Sequence, residues 1–363
     1  MTISSAEQTL KVGVIGLGFA GTTHLDAYQK LANVEVVALA GKEVPRLHEL
    51  GTTRGVPNLY EDWEDLVARD DLDIVSIGVP NHLHHTIAIA ALNGGKHVFC
   101  EKPLSTSGDL AQQMVDAARA NDRVLEIAFN HRRRADVRFL HDYLAENDLG
   151  RIYHARASWR RRSGIPGIGS WFTNKAMAGG GPMIDLGSHV LDIVLHLLGE
   201  PRVTAVSAVA YGELGRAGRG GRSDSQTTGG TQTFEVEDFA SALLRLDNGG
   251  SVNLEASWAG YSSDEEDINV ELLGSTGGIR LFVRDYATDA TIRLYSDVQG
   301  VPAVTTPTVF APTRQHKMVI EQFLATIRSG HWADSYGQYA LHRTRIIDAV
   351  YESARTNREV SVA

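Results

Sequence analysis

Hydrophobic residues in the first third of the chain fall in short runs separated by stretches of helical periodicity. Lys11–Ile15, Val34–Leu39, Asp73–Val79, His97–Phe99 and Val124–Ala128 each read as a buried strand. Between them, residues 20–31, 43–54, 60–69, 82–93 and 106–120 space their apolar positions as helices do. Apolar strands alternating with helices predict a parallel sheet covered on both faces.

The rhythm changes after residue 130. A helix over 134–146 leads into a strand near 151–161, then a glycine-rich loop and a helix over 183–198. Strands follow near 202–211, 234–246, 250–259, 266–273 and 279–284, with hairpin signals at Asn248-Gly249-Gly250 and Ser275-Thr276-Gly277-Gly278. Helices near 314–329 and 336–355 close the chain. This half reads as α+β with a mostly antiparallel sheet, which divides the chain into domains 1–130 and 131–363. The strands after residue 234 are long and rich in alternating apolar residues, as in Phe239–Leu246, with one face expected to pack on the domain's helices. Such a sheet would leave an apolar face bare in a monomer, which predicts a homodimer or homotetramer. Residues 212–232 are the one low-complexity stretch and read as a mobile surface loop or a lid over the substrate.

Length and composition narrow the class. The 363 residues suit two domains, and 43% hydrophobic with 22% charged residues is ordinary for a globular protein. A formal net charge of -9 argues against a general nucleic-acid binder. Cys100, the single cysteine, excludes an internal disulfide and a cysteine zinc cluster, and reads as a small buried hydrophobe. The opening MTISSAEQTLK has no basic segment followed by an apolar one, and no apolar run reaches the roughly 18 residues of a membrane span. The expectation is a cytoplasmic protein with no membrane partner and no metal.

Gly16-Leu17-Gly18-Phe19-Ala20-Gly21 is a G-x-G-x-x-G that directly follows the first strand and opens a helix, the context a dinucleotide site requires. Gly16 serves the tight turn, Gly18 lets the pyrophosphate approach the backbone, and Gly21 permits close packing. The residue that reads the adenosine ribose belongs at the end of the second strand, where the chain has Ala40-Gly41-Lys42-Glu43. An acidic residue is missing at Gly41, whereas Lys42 and Arg46 suit a 2′-phosphate. Glu43 reaches a ribose hydroxyl only if the turn is shifted. The cofactor expectation is therefore NAD(P), with a lean to NADP.

Cys100-Glu101-Lys102-Pro103 follows the fourth strand, and Pro80-Asn81-His82-Leu83-His84 the third. Together with Gly179-Gly180-Gly181-Pro182-Met183-Ile184-Asp185-Leu186-Gly187-Ser188-His189-Val190-Leu191-Asp192, these motifs resemble the glucose–fructose oxidoreductase / inositol dehydrogenase / rhizopine-catabolism (Gfo/Idh/MocA) family over nearly the whole chain. The resemblance implies a Rossmann doubly wound domain plus a C-terminal α+β domain with a large open sheet. It implies oxidation or reduction of sugars and cyclitols with NAD(P). It also implies that Phe19, Ala20, Pro80, Asn81, His84, Glu101, Lys102 and Asn130 line the cofactor, while His82 and His85 carry no such implication.

The residues themselves support that chemistry. Asp185 and His189 stand four apart and share a helix face. A carboxylate beside an imidazole suits acid–base work near neutral pH, so His189 is the candidate base, with Asp185 orienting it or holding substrate. Lys102, at a strand's carboxyl end, suits stabilisation of charge on the reacting oxygen. Trp159-Arg160-Arg161-Arg162 and Trp171 lead towards the same helix, and Asn130, His131 and Arg132 close the fifth strand. Forked arginine donors and aromatic faces suit a polyhydroxylated ring. The expected substrate contacts are Lys102, Arg132, Arg160, Arg161, Trp171, Asp185 and His189. The expected reaction is hydride transfer between NAD(P) and a secondary alcohol of a sugar or cyclitol. Two alternatives stand beside it: an NAD-dependent glycosidase working through transient oxidation, and a non-catalytic NAD(P)-binding sensor.

Overall fold

Six parallel strands form the first sheet. The computed structural model describes residues 9–221, 233–262, 264–309 and 315–362. The opening region runs β1 (Leu10–Ile15), α1 (Phe19–Tyr28), β2 (Val34–Ala40), α2 (Val44–Arg54), β3 (Asn58–Tyr60), α3 (Trp63–Val67), β4 (Ile74–Ile77), α4 (His84–Asn93), β5 (His97–Cys100), α5 (Gly108–Ala120) and β6 (Leu125–Ile127). The strand order is β3-β2-β1-β4-β5-β6, all parallel. That is the doubly wound dinucleotide-binding order, and its direction reverses between β1 and β4, where such sheets bind ligands. The central strands are buried on both faces, which explains their unbroken apolar runs.

The second sheet has nine strands. After α6 (Ala135–Glu146) come β7 (Ile152–Arg161), α7 (Lys175–Ala178), a π-helical turn at Met183–Gly187, α8 (Ser188–Leu197), β8 (Val203–Tyr211), α9 (Glu213–Arg216), β9 (Phe239–Leu246), β10 (Ser251–Ser257), β11 (Glu266–Gly274), β12 (Gly278–Arg284), β13 (Ile292–Val298) and β14 (Val301–Thr305). The chain ends with α10 (Gln315–Ser329), α11 (Gln338–Thr356) and β15 (Val360–Ser361). The order is β14-β13-β12-β11-β7-β10-β9-β8-β15, antiparallel throughout except for the β7–β10 pair. Both hairpin signals form: Gly249 at φ 77° joins β9 to β10, and the Gly274 N–H donates to the Gly277 carbonyl before β12.

Three expectations are corrected here. Residues 314–341 cluster with 1–130, whereas 131–313 and 342–363 make the second unit. The cause is the apolar stripe of α10: Val319, Ile320, Phe323, Leu324 and Ile327 join the core of Tyr28, Phe99 and Leu25. An amphipathic stripe shows that a helix packs, not which sheet it packs on. The outer face of the second sheet is not broadly apolar either. Ala240, Ala242, Leu244 and Leu246 point inward, and the outer face is mixed: a groove of about 700 Å³ carries Arg156, Arg160, Asn253, Glu255 and Asn269 beside Val209 and Leu243. Finally, part of the 212–232 stretch is ordered: the Asp238 carboxylate accepts from the Leu214 and Gly215 amides, and the Gly220 carbonyl accepts from Gly164 and Ile165. The remainder of that stretch, 222–232, lies outside the described residues.

Candidate active site

The glycine motif builds a cradle after β1. Gly16 has φ 110°, and a Cβ there would lie 2.1 Å from the Gly78 carbonyl oxygen. A Cβ on Gly21 would lie 2.0 Å from the Gly16 carbonyl oxygen, whereas Gly18 faces open space. The N-cap of α1 is Gly18, which has no side chain to cap the helix, and an uncapped helix start suits a diphosphate. Phe19 at the helix start is exposed, with Ala20 beside it. These features fit a dinucleotide.

The turn after β2 shows why no acidic residue sits there. A Cβ on Gly41 would press to 2.4 Å against the Leu17 side chain. Lys42 is exposed and pairs with Asp62, and Arg46 pairs with Glu49 at 2.8 Å. Both cations are on the surface of this turn, each already facing a carboxylate.

Past β4, Pro80 precedes a 3₁₀ turn at Asn81–Leu83, and Asn81 is buried within it. His84 has a structural task. It is fully buried, with Nδ1 2.8 Å from the Pro103 carbonyl and Nε2 3.0 Å from the Val79 carbonyl. Both ring nitrogens are committed to backbone, so His84 ties the end of β4 to the turn that carries Lys102. Burial lowers its pKa, against the raising effect of those carbonyls.

Glu101 also has a task other than cofactor contact. Its Oε1 lies 3.1 Å from His24 Nε2 and 3.7 Å from His316 Nε2, and its Oε2 accepts the Lys102 N–H at 3.2 Å. Burial opposes ionisation of this carboxyl, but the His24 hydrogen bond and the charges of His24, His316 and Lys102 outweigh it and bring it to about 2. Asn130 donates to the Gln315 side chain at 3.4 Å. The first turn of α10 thus supplies Gln315 and His316 to the carboxyl ends of β6 and β5. Neither residue, nor His24, stood out in the sequence.

The second unit gathers a different set. Asp185 lies in the π-helical turn and accepts from Trp258 Nε1 at 2.9 Å, and His189 lies in the first turn of α8. The expected four-residue spacing thus runs across a π turn and an α turn, not along one regular helix. His189 is buried, its ring edge-on to His131 at 4.6 Å and 5.7 Å from Trp159. Glu266 accepts from Trp159 Nε1 at 2.6 Å and from Arg161 Nε at 2.8 Å. Arg161 also donates to the Tyr286 hydroxyl at 3.1 Å. Burial disfavours the Arg161 charge, but Glu266, Tyr286 and Asp185 outweigh it. Tyr286 has φ 57° and follows Asp285 at φ 48°, a left-handed pair rare without glycine, and its ring stands 6.2 Å from Trp159.

Three of the expected substrate contacts meet protein partners in the fold. Arg160 alternates with Trp159 and Arg161 along β7 and so faces the outer groove, where it meets Asp267 at 3.2 Å. Arg132 is bound to Asp192 through Nε at 2.7 Å, with Glu200 at 3.6 Å, and Arg343 meets the same Asp192. Trp171 stacks on Phe172 at 3.8 Å, and Phe172 in turn lies 6.5 Å from Trp258. Its link to Asp185 is therefore indirect.

The glycine run before α8 has a mechanical reason. Glu237 is buried and accepts from the Gly181 and Met183 amides at 3.0 and 3.1 Å and from Tyr351 at 2.9 Å. A Cβ on Gly180 would meet the Tyr351 hydroxyl at 2.0 Å, and one on Gly181 the Glu237 carbonyl at 2.1 Å. Among the described residues no group of three or more His, Cys, Asp or Glu side chains is disposed to hold a metal, and no helix is long and apolar enough to cross a membrane. Cys100 is buried, and burial raises its thiol pKa, as for a packing residue.

The sheet order and the glycine cradle define a dinucleotide-binding domain. A family model described as an oxidoreductase family with an NAD-binding Rossmann fold matches residues 10–129, and a GFO/IDH/MocA C-terminal domain model matches 137–280. The chain belongs to the GFO/IDH/MocA family and is an NAD(P)-dependent oxidoreductase. It is 30% identical over 365 residues to D-glucoside 3-dehydrogenase of Escherichia coli, covering 100% of both chains. It is 32% identical over 290 residues to levoglucosan dehydrogenase of Pseudarthrobacter phenanthrenivorans, covering 75% of this chain and 73% of that one. A levoglucosan dehydrogenase solved with NADH and L-sorbose superposes with a TM-score of 0.85 at 26% identity, covering 98% of this chain and 99% of the other.

Proposed function

We propose that this protein oxidises a secondary hydroxyl of a sugar or cyclitol ring, with NAD(P) as hydride acceptor. The observation that carries this reading is the second unit's cluster of Asp185, His189, Arg161, Trp159 and Trp258, which puts charged and hydrogen-bonding groups among aromatic faces. Sugar rings present that mixture of hydroxyls and apolar C–H faces. The likeness to D-glucoside 3-dehydrogenase over the full length supports the substrate class.

A bound nicotinamide supplies the hydride acceptor. In this reading His189 removes the hydroxyl proton, Asp185 holds a neighbouring hydroxyl, and Lys102 stabilises charge developing on the reacting oxygen. Arg161 adds further donors. Lys42 and Arg46 favour the 2′-phosphate of NADP, because the turn after β2 offers two cations and no carboxylate at Gly41. A homodimer or homotetramer built on the outer face of the nine-stranded sheet completes the reading. Its Arg156–Glu271 pair at 2.7 Å makes that face polar, so the contact would rest on charge pairing as much as on burial. Light scattering that reports only the 39.5 kDa monomer at micromolar concentration refutes the assembly.

The deciding experiment offers a panel of sugars, glycosides and inositols with NAD⁺ and NADP⁺, followed through absorbance of the reduced nicotinamide. Steady reduction with one sugar class supports the proposal. Glycoside cleavage without net reduction, or binding without turnover, refutes it.

A further inference from the structure

Two buried histidines in the first unit have no part in the reading above. His24 is fully buried in α1, and His316 is largely buried in the first turn of α10. Both converge on one oxygen of Glu101, while its other oxygen holds the Lys102 amide. We propose that His24 and His316 are positioning residues that fix Lys102 through the Glu101 carboxylate. This inference rests on the proposed role of Lys102.

The hydrogen-bond directions support it. A carboxylate only accepts, so His24 must donate from Nε2 to Glu101. Its Nδ1 lies 3.0 Å from Ser76 Oγ. Ser76 lies on β4, so the chain Ser76–His24–Glu101–Lys102 ties three elements to one lysine. Phe99 fixes the His24 ring edge-on at 4.9 Å. The Glu101 amide also donates to Ile77 on β4 at 2.9 Å, which leaves its side chain little freedom. A buried carboxylate with two imidazoles is costly unless its bonds are met, and here one of them is made to the backbone amide of the reacting lysine. Positioning of this kind is worth far more in turnover than in binding, since a displacement of an ångström at a reacting group costs rate.

The test is a double-mutant cycle of His24→Phe and Glu101→Gln, with His316→Gln as a variant at a less buried site. His24→Phe and Glu101→Gln should each lower kcat about tenfold, with sugar KM and reduced-cofactor Kd within about twofold. The double variant should be no slower than Glu101→Gln alone, because both act on one carboxylate. Without any cofactor, hydrogen exchange in each variant should speed up in the peptide carrying Lys102 and not across α1. Should His24→Phe fail to fold, His316→Gln must show the same kcat loss and the same local exchange. Additive losses, or normal kcat in His24→Phe while Lys102→Ala is inactive, overturn the proposal and leave the function reading intact. Full turnover in Lys102→Ala overturns both.

Discussion

The hydroxyl of Tyr351 donates to Glu237 at 2.9 Å, and that carboxylate also receives the amides of Gly181 and Met183. One buried acid on the approach to β9 thereby fixes the turn that presents Asp185. Tyr351→Phe removes one donor from a buried acceptor, which should cost about 1–2 kcal/mol in a denaturant titration. Glu237→Gln should cost more, because an amide cannot accept at both oxygens and turns N–H against N–H. Both variants should bind the reduced cofactor as the parent does. An unchanged denaturation midpoint in Glu237→Gln shows that the acid does not hold the turn.

Lys102→Ala should lower kcat/KM by about 100-fold or more, as expected for a lost stabiliser of developing charge. Fluorescence titration with the reduced cofactor should change far less. Near-normal turnover removes Lys102 from the reacting groups.

Trp258→Phe keeps a buried aromatic but deletes the donor to Asp185. The carboxylate then loses its fixed orientation, and kcat/KM for the preferred sugar should fall about tenfold with the fold intact. If circular dichroism and rate are both unaffected, the Trp258 bond does not direct Asp185.

Replacing Lys42 and Arg46 together by alanine should weaken NADP binding and leave NAD binding nearly unchanged, since only the former carries a 2′-phosphate. Asp62 already faces Lys42, so Asp62→Asn should strengthen NADP binding. Tight NAD binding with negligible NADP binding in the parent refutes the lean.

The uneven legibility of these groups in the sequence has a physical basis. The strands around β1, β4 and β5 were readable because burial on both faces leaves continuous apolar runs. The glycine motif was readable because backbone closeness at Gly16 and Gly21 excludes every side chain. β13 and β14 were missed because half-exposed strands such as Val301–Thr305 carry no clear alternation. β3 was missed because three residues make too short a pattern. The strand expected over 234–246 starts only at Phe239, since Glu237 and Asp238 spend their carboxylates on the Gly181 and Leu214 loops. Arg160 and Arg161 look alike in sequence, and only the pleat of β7 sends one outward. His316 is a remote contribution: a partner more than two hundred residues from Glu101 leaves no local signal.

Acid stability tests the Glu101 network by an independent route. Its carboxyl would titrate near 4.5 in the unfolded chain and titrates at about 2 in the fold. A depressed folded pKa means that the unfolded state binds the proton first as pH falls. The stabilisation from this group is therefore complete above about 4.5 and is lost progressively as pH drops towards 2. Other carboxylates titrate in the same window, so the informative quantity is the difference between the parent and Glu101→Gln, which has no proton to bind. The parent should be the more stable of the two at neutral pH. That gap should shrink as pH falls from about 4.5 towards 2. His24→Phe should narrow the same window, because it removes the hydrogen bond that favours the ionised form. A gap that stays constant to pH 2 shows that Glu101 is not held ionised by its histidines, and the network loses its electrostatic basis.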